Sequence, residues 1–93
     1  MMTVSNVKVY VQVSADFTQE GLMLPRELIW EDGEKYTIDR VIDVRQAAAM
    51  KAGGQGDRYT IEVRGHRSYL FFERSASLTG NNIGRWFVER KAS

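Results

Sequence analysis

Leu28-Ile29-Trp30-Glu31-Asp32-Gly33-Glu34-Lys35-Tyr36-Thr37-Ile38 decides how this chain folds, because its turn chemistry fixes a strand register. Asp-Gly between two β-rich runs is a strong hairpin signal. A two-residue loop at Asp32-Gly33 would pair Ile29 with Tyr36 and split the large apolar side chains between two faces. A three-residue loop, Glu31-Asp32-Gly33 with Gly33 at positive φ, pairs Leu28 with Tyr36 instead. Leu28, Trp30, Tyr36 and Ile38 then share one face, and Ile29, Lys35 and Thr37 the other. A one-residue slip moves every side chain across the sheet, so burial of the four apolar groups together selects the three-residue loop. Gly33 takes the left-handed position at little steric cost.

Upstream, Val7, Val9, Val11 and Val13 alternate with Lys8, Tyr10, Gln12 and Ser14, the period of a strand with one buried face. Residues 15–25 break the alternation. Asp16 and Gly21 read as loop, Pro25 can open a strand but not sit centrally in one, and Leu22, Met23 and Leu24 are expected to cap one end of the core. Downstream, the hairpin's second strand runs on through Val44. Strict alternation would place Arg40 inside, and burying a lone arginine costs several kcal/mol unless it is paired. A β-bulge near Asp39-Arg40 is therefore expected, bending the strand as a curling sheet requires.

Gln46-Ala47-Ala48-Ala49-Met50-Lys51-Ala52 favours helix, with Gly53 placed to stop it, so a short helix or loop insertion is expected over 46–56. The glycines at 53, 54 and 56 lack the Gly-Lys-Ser/Thr of a phosphate loop. Arg58–Arg74 reads as a second hairpin about Gly65-His66. That turn pairs Val63 with Ser68, Ile61 with Leu70 and Tyr59 with Phe72 on a core face. Thr60 with Phe71, Glu62 with Tyr69, Arg58 with Glu73 and Arg64 with Arg67 make up the other. Arg85–Arg90 forms the last strand, with Trp86 and Val88 inward. The expected fold is all-β: a small curled antiparallel barrel, SH3-like or OB-like, of five to six strands in one domain over 1–93.

With 93 residues the chain buries roughly 60–65% of its unfolded surface. It has no cysteine, hence no disulfide, thiolate metal site or cysteine nucleophile. No signal-peptide pattern and no apolar run approaching ~20 residues is present, which makes the cytoplasm the expected location and a membrane partner unexpected. Net charge is +1 but unevenly spread: residues 1–57 sum to −3 and residues 58–93 to +4. The single histidine, His66, lies on a turn with no second ligand spaced for a metal. Ser68 beside it is assigned to the core face. No catalytic constellation results, so no enzyme activity and no cofactor are expected.

Binding residues are a different matter. Tyr69 and Phe71 fall on the face away from the core, where rings can anchor a protein partner or stack on bases. Arg64, His66 and Arg67 cluster at the second hairpin's tip. Arg64 opposite Arg67 would repel, which a bound anion would offset. The residues thus point to a non-catalytic interaction module. It would bind a protein partner or its own copy through an aromatic strand face or sheet edge. The alternative is a weak single-stranded nucleic-acid binder using Tyr69, Phe71, Arg64, Arg67 and Arg85.

The spacing Pro25-x-x-Leu28-x-Trp30-x-x-Gly33-x-x-Tyr36-x-Ile38-x-x-Val41, followed by Tyr59-x-Ile61-x-Val63, Leu70-Phe71-Phe72 and Trp86-Phe87-Val88-x-Arg90, resembles a group of small uncharacterised bacterial domains. These occur alone or appended to proteins of the translesion-polymerase type. The resemblance covers about residues 25–90 and rests on core aromatics and turns, so it implies a small β fold and transfers no catalytic residue. Two departures stand out: the Ala/Gly insertion at 46–56, and an acidic hairpin tip (Glu31, Asp32, Glu34) where members tend to be basic. The second does not favour carrying nucleic-acid contact across.

Overall fold

A computed structural model describes residues 5–47, 56–75 and 83–92. Seven antiparallel strands follow in chain order: β1 (Ser5–Phe17), β2 (Met23–Ile29), β3 (Lys35–Thr37), β4 (Arg40–Ala47), β5 (Gly56–Val63), β6 (His66–Arg74) and β7 (Gly84–Ala92). They form one curled sheet, a half-barrel, in the order β3-β2-β1-β7-β6-β5-β4. Among the described residues there is no helix.

The deciding hairpin has the expected register, with Leu28 opposite Tyr36 and Ile29 opposite Lys35. The Trp30 N–H donates to the Glu34 carbonyl at 2.8 Å, the Asp32 carboxylate accepts from the Glu34 N–H, and Gly33 sits at φ 88°. Leu28 and Ile38 are buried, and Trp30 and Tyr36 pack against the same cluster. A further hairpin of the same geometry, between β1 and β2, precedes it, where the sequence suggests only an interruption. β1 runs on to Phe17, and the Thr18 N–H donates to the Leu22 carbonyl around Gln19-Glu20-Gly21, with Gly21 at φ 89°. Pro25 lies inside β2, not at its start. It is tolerated because the β1–β2 ladder slips there: Ser14 faces Glu27 and Ala15 faces Pro25, which leaves Arg26 as an extra residue.

The single strand expected through Val44 is divided, which is why there are seven strands and not five or six. The Ile38 N–H still donates to Arg26 of β2, whereas the Asp39 N–H donates to Glu62 of β5, each at 2.8 Å. The chain therefore changes partner between two consecutive residues. Arg40 points to solvent, as the cost of burying it requires. The extra residue is Ile42, between the Val41–Ile61 and Asp43–Thr60 pairs, and not at Asp39-Arg40. Gln46 and Ala47 continue β4 and are strand, not the start of a helix; residues 48–55 lie outside the described set.

The second hairpin turns at Arg64-Gly65, with φ 52° and 79°, and not at Gly65-His66. Positive φ at both central residues is the turn whose twist matches the flanking strands. Left-handed backbone disfavours arginine, and the Asp39 carboxylate offsets this by accepting the Arg64 N–H at 2.9 Å. Val63 thus faces His66, Ile61 faces Ser68 and Tyr59 faces Leu70, a shift of two residues from the expected pairing. A two-residue shift preserves faces. Tyr59, Ile61, Leu70 and Phe72 are buried in one core with Trp86, and Val88 packs on it. Tyr59 and Phe72 both contact the Trp86 ring, with centroids 5.1 and 5.0 Å away. The Tyr59 hydroxyl donates to the Met23 carbonyl, and burial pushes its pKa up.

Two glycines separate turn strain from close packing. A Cβ on Gly33 would meet open space, whereas one on Gly56 would lie 2.3 Å from the Phe72 carbonyl oxygen. Urea unfolding should show Gly33→Ala losing about 1 kcal/mol and Gly56→Ala losing at least ~2 kcal/mol. Equal losses would contradict the close approach of β5 to β6.

Candidate functional site

β7 is the strand that shapes the site. From Trp86 to its end it pairs with β1, from Val11–Trp86 to Ser5–Ala92. With β6 it pairs only from Phe71–Phe87 to Arg74–Gly84. Beyond Phe71 the two strands splay, and residues 66–70 of β6 have a ladder to β5 alone. Successive strand residues turn their N–H and C=O to alternate sides, so part of this stretch presents backbone hydrogen-bonding groups to the gap.

The gap is a cleft of about 470 Å³ bounded by Arg67, Ser68 and Tyr69 on β6 and by Val88 and Glu89 on β7, with Trp30 beneath. A smaller space of about 230 Å³ shares Trp30, Ser68 and Val88 and extends to Leu28, Tyr36, Ile61 and Val63. The opening therefore passes from the outer face of the wall to the end of the core. Its floor is apolar and its lips are polar.

The outer face beside the cleft is an array of rings and cations. Phe71 and Phe87 stack with centroids 5.0 Å apart and planes at 9°. Tyr10 meets the Phe87 edge at 5.9 Å, and the Lys8 ammonium lies 5.0 Å from the Phe87 centroid. Arg85 covers Tyr10 at 3.9 Å and Arg58 covers Tyr69 at 4.7 Å. Glu73 ties three strands together, accepting from Lys8 Nζ at 2.9 Å and from the Tyr10 hydroxyl at 3.0 Å, with Arg85 Nη2 at 3.7 Å. The Lys8 hydrogen bond, then that from Tyr10, and the charges of Lys8 and Arg85 hold its carboxyl below the usual 4.5, against the opposing effect of burial.

The five residues singled out from the sequence divide. Arg67, Tyr69 and Phe71 line the cleft. Tyr69 is 51% exposed, but Phe71 is only 5% exposed, so it is a buried support and not a contact surface. The sequence places it on the outer face correctly; Phe87 stacking from β7 is what removes it from solvent. Arg64 lies in the turn with its guanidinium over Tyr36 at 4.8 Å, and His66, though exposed, alternates to the face opposite Arg67. The expected Arg64–Arg67 repulsion is absent because Arg67 faces Glu62, and Arg58 faces Phe71, not Glu73. The argument for an anion at the hairpin tip falls with that pairing. The like charges that do face each other are Arg45 and Arg58.

Trp30, Thr60, Ser68, Val88 and Glu89 complete the cleft, a role the sequence does not reveal, since it depends on where β7 leaves β6. The carboxylates of Asp39 and Asp43 are engaged with the Arg64 N–H at 2.9 Å and with Arg45 Nε at 2.7 Å. Among the described residues no group of three or more histidine or acidic side chains could hold a metal ion, and no helix is long and apolar enough to cross a membrane. Compared with known proteins, the sequence matches no family model, no curated protein and no solved structure.

The Glu73 network sets a pH dependence. A carboxyl whose folded pKa is lowered stabilises the fold above its ordinary value, and loses that contribution as pH falls through the lowered one. Glu73→Gln should therefore be less stable than wild type at neutral pH, with the difference shrinking as pH drops below 4.5. A difference in unfolding free energy that does not change with pH would contradict the network.

Proposed function

We propose that this protein is a non-catalytic interaction module that takes an extended polypeptide segment into the cleft between β6 and β7. The observation that carries this reading is the one-sided ladder of residues 66–70: a strand with backbone groups turned to an apolar, tryptophan-floored opening. Strand addition draws affinity from main-chain hydrogen bonds and specificity from alternate side chains. The other long edge suits this less well. β4 carries Arg40, Asp43 and Arg45 and the Ile42 bulge, features that discourage pairing at an edge.

A polypeptide is favoured over single-stranded nucleic acid on two grounds. Base stacking needs open ring faces, and Arg58 and Arg85 already lie over Tyr69 and Tyr10. Nucleic acid also has no backbone complement for a strand edge. The barrel type we infer is SH3-like or OB-like, in which a bent first strand is shared between two ladders. A cytoplasmic location and kinship with the small bacterial domains that the aromatic spacing resembles belong to the same proposal. The second copy of this chain is the variant of the reading in which the segment comes from another protomer.

Selection of random displayed heptapeptides on the immobilised protein, followed by amide NMR mapping, tests the reading. Selected peptides should shift residues 66–70 and 88–90, and Ser68→Trp, which fills the opening, should abolish their binding while the circular dichroism spectrum is kept. Peptides that map elsewhere, or that bind Ser68→Trp undiminished, would overturn it.

A further inference from the structure

Six of the nine arginines of this chain are matched by a carboxylate. Arg26, Arg40, Arg45, Arg74, Arg85 and Arg90 each lie against a carboxylate: Asp16, Glu62, Asp43, Asp57, Glu73 and Glu31 respectively. Arg58, Arg64 and Arg67 make no ion pair with any described residue. Arg64 is at the turn, over Tyr36. The other two lie beside Tyr69, whose ring lines the cleft. Arg67 is on its lip, and Arg58 lies over the Tyr69 ring with its Nε shielded from solvent and without a hydrogen-bond partner.

Glu62, which faces Arg67 in the ladder, pairs with Arg40 on its other side at 3.7 Å, so it does not discharge Arg67. Arg45, which faces Arg58 in the ladder, is engaged with Asp43 and gives Arg58 no counter-charge. A buried polar group without a partner costs free energy that a ligand can recover. Glu89, on the β7 lip, lies opposite Lys8 in the β1–β7 ladder, and the two arginines without an ion pair lie on the β5–β6 side.

Resting on the strand-addition reading, we infer that the segment the cleft takes is an acidic–apolar alternating polypeptide. A strand laid along β6 places every second side chain on the outer face, opposite Arg67 and Tyr69, where a carboxylate meets the unmatched guanidinium groups. The side chains between them point inward toward Trp30 and Val88, where an apolar group is buried. Charge and pleat thus specify the same alternation.

The test uses three probes on the intact protein, followed by amide NMR shifts and intrinsic fluorescence: a capped peptide alternating valine and glutamate, its valine–lysine counterpart, and an oligothymidylate. The glutamate peptide should bind at residues 66–70 at least about tenfold tighter than the lysine peptide. Arg58→Gln combined with Arg67→Gln should erase that preference, and Arg67→Lys should keep part of it, which separates charge from loss of fold. Equal binding of the two peptides at the cleft would overturn the acidic preference and leave strand addition standing. Binding of neither would overturn both. Oligothymidylate displacing the glutamate peptide from the same residues would replace the polypeptide by nucleic acid.

Discussion

Two neighbouring amides govern this architecture. Ile38 donates to β2 and Asp39 to β5, so one peptide unit joins the opposite ends of a seven-strand sheet. A flat meander of this length would leave two distant edges. Linking them makes the sheet curl, places Leu28, Ile38, Ile61 and Trp86 in one interior, and brings both hairpin tips to the same end. Asp39 reinforces the junction through its carboxylate, which accepts the Arg64 N–H and so supports left-handed backbone at a non-glycine residue. One residue therefore determines where the first hairpin's strand ends and how the second hairpin turns.

The cleft follows from the same curl. β1 is long enough to belong to two ladders, pairing with β7 through Val11 and with β2 from Gln12 onward. β7 follows β1 from Trp86 to Ala92 and leaves β6 after Phe87, so the wall opens beside Trp30. On the paired side of that point, the Phe71–Phe87 stack, Tyr10 and the Lys8–Glu73–Arg85 network hold β1, β7 and β6 together. Beyond it no comparable cross-strand network is found among the described residues. A rigid sheet next to an open ladder is the arrangement that strand addition exploits.

Local chemistry was legible where it was sufficient. Asp32-Gly33 with apolar alternation on both sides fixes the first register, and the alternation in residues 59–72 assigns the faces of the second hairpin even though its pairing shifts by two. What was not legible depends on distant groups. The turn at Arg64-Gly65 is stabilised by Asp39, twenty-five positions away in sequence. Phe71 is buried by Phe87, a residue of another strand. The Gln19-Glu20-Gly21 hairpin is less legible because the alternation of β1 continues only through the small Ala15 and the exposed Phe17; Gly21, with the Thr18 hydroxyl accepting the Leu22 N–H, is the local signal.

The central claim is that β6 is paired on one side only over residues 66–70. Amide hydrogen exchange of the isolated protein, resolved by residue, measures this directly. Within residues 66–70, amides turned to β5 should exchange slowly and those turned to the cleft quickly, while Phe71 and Phe72, paired with both β5 and β7, are protected on both sides. Uniform slow exchange from 66 to 72 would mean that the ladder to β7 is closed, and the cleft with it.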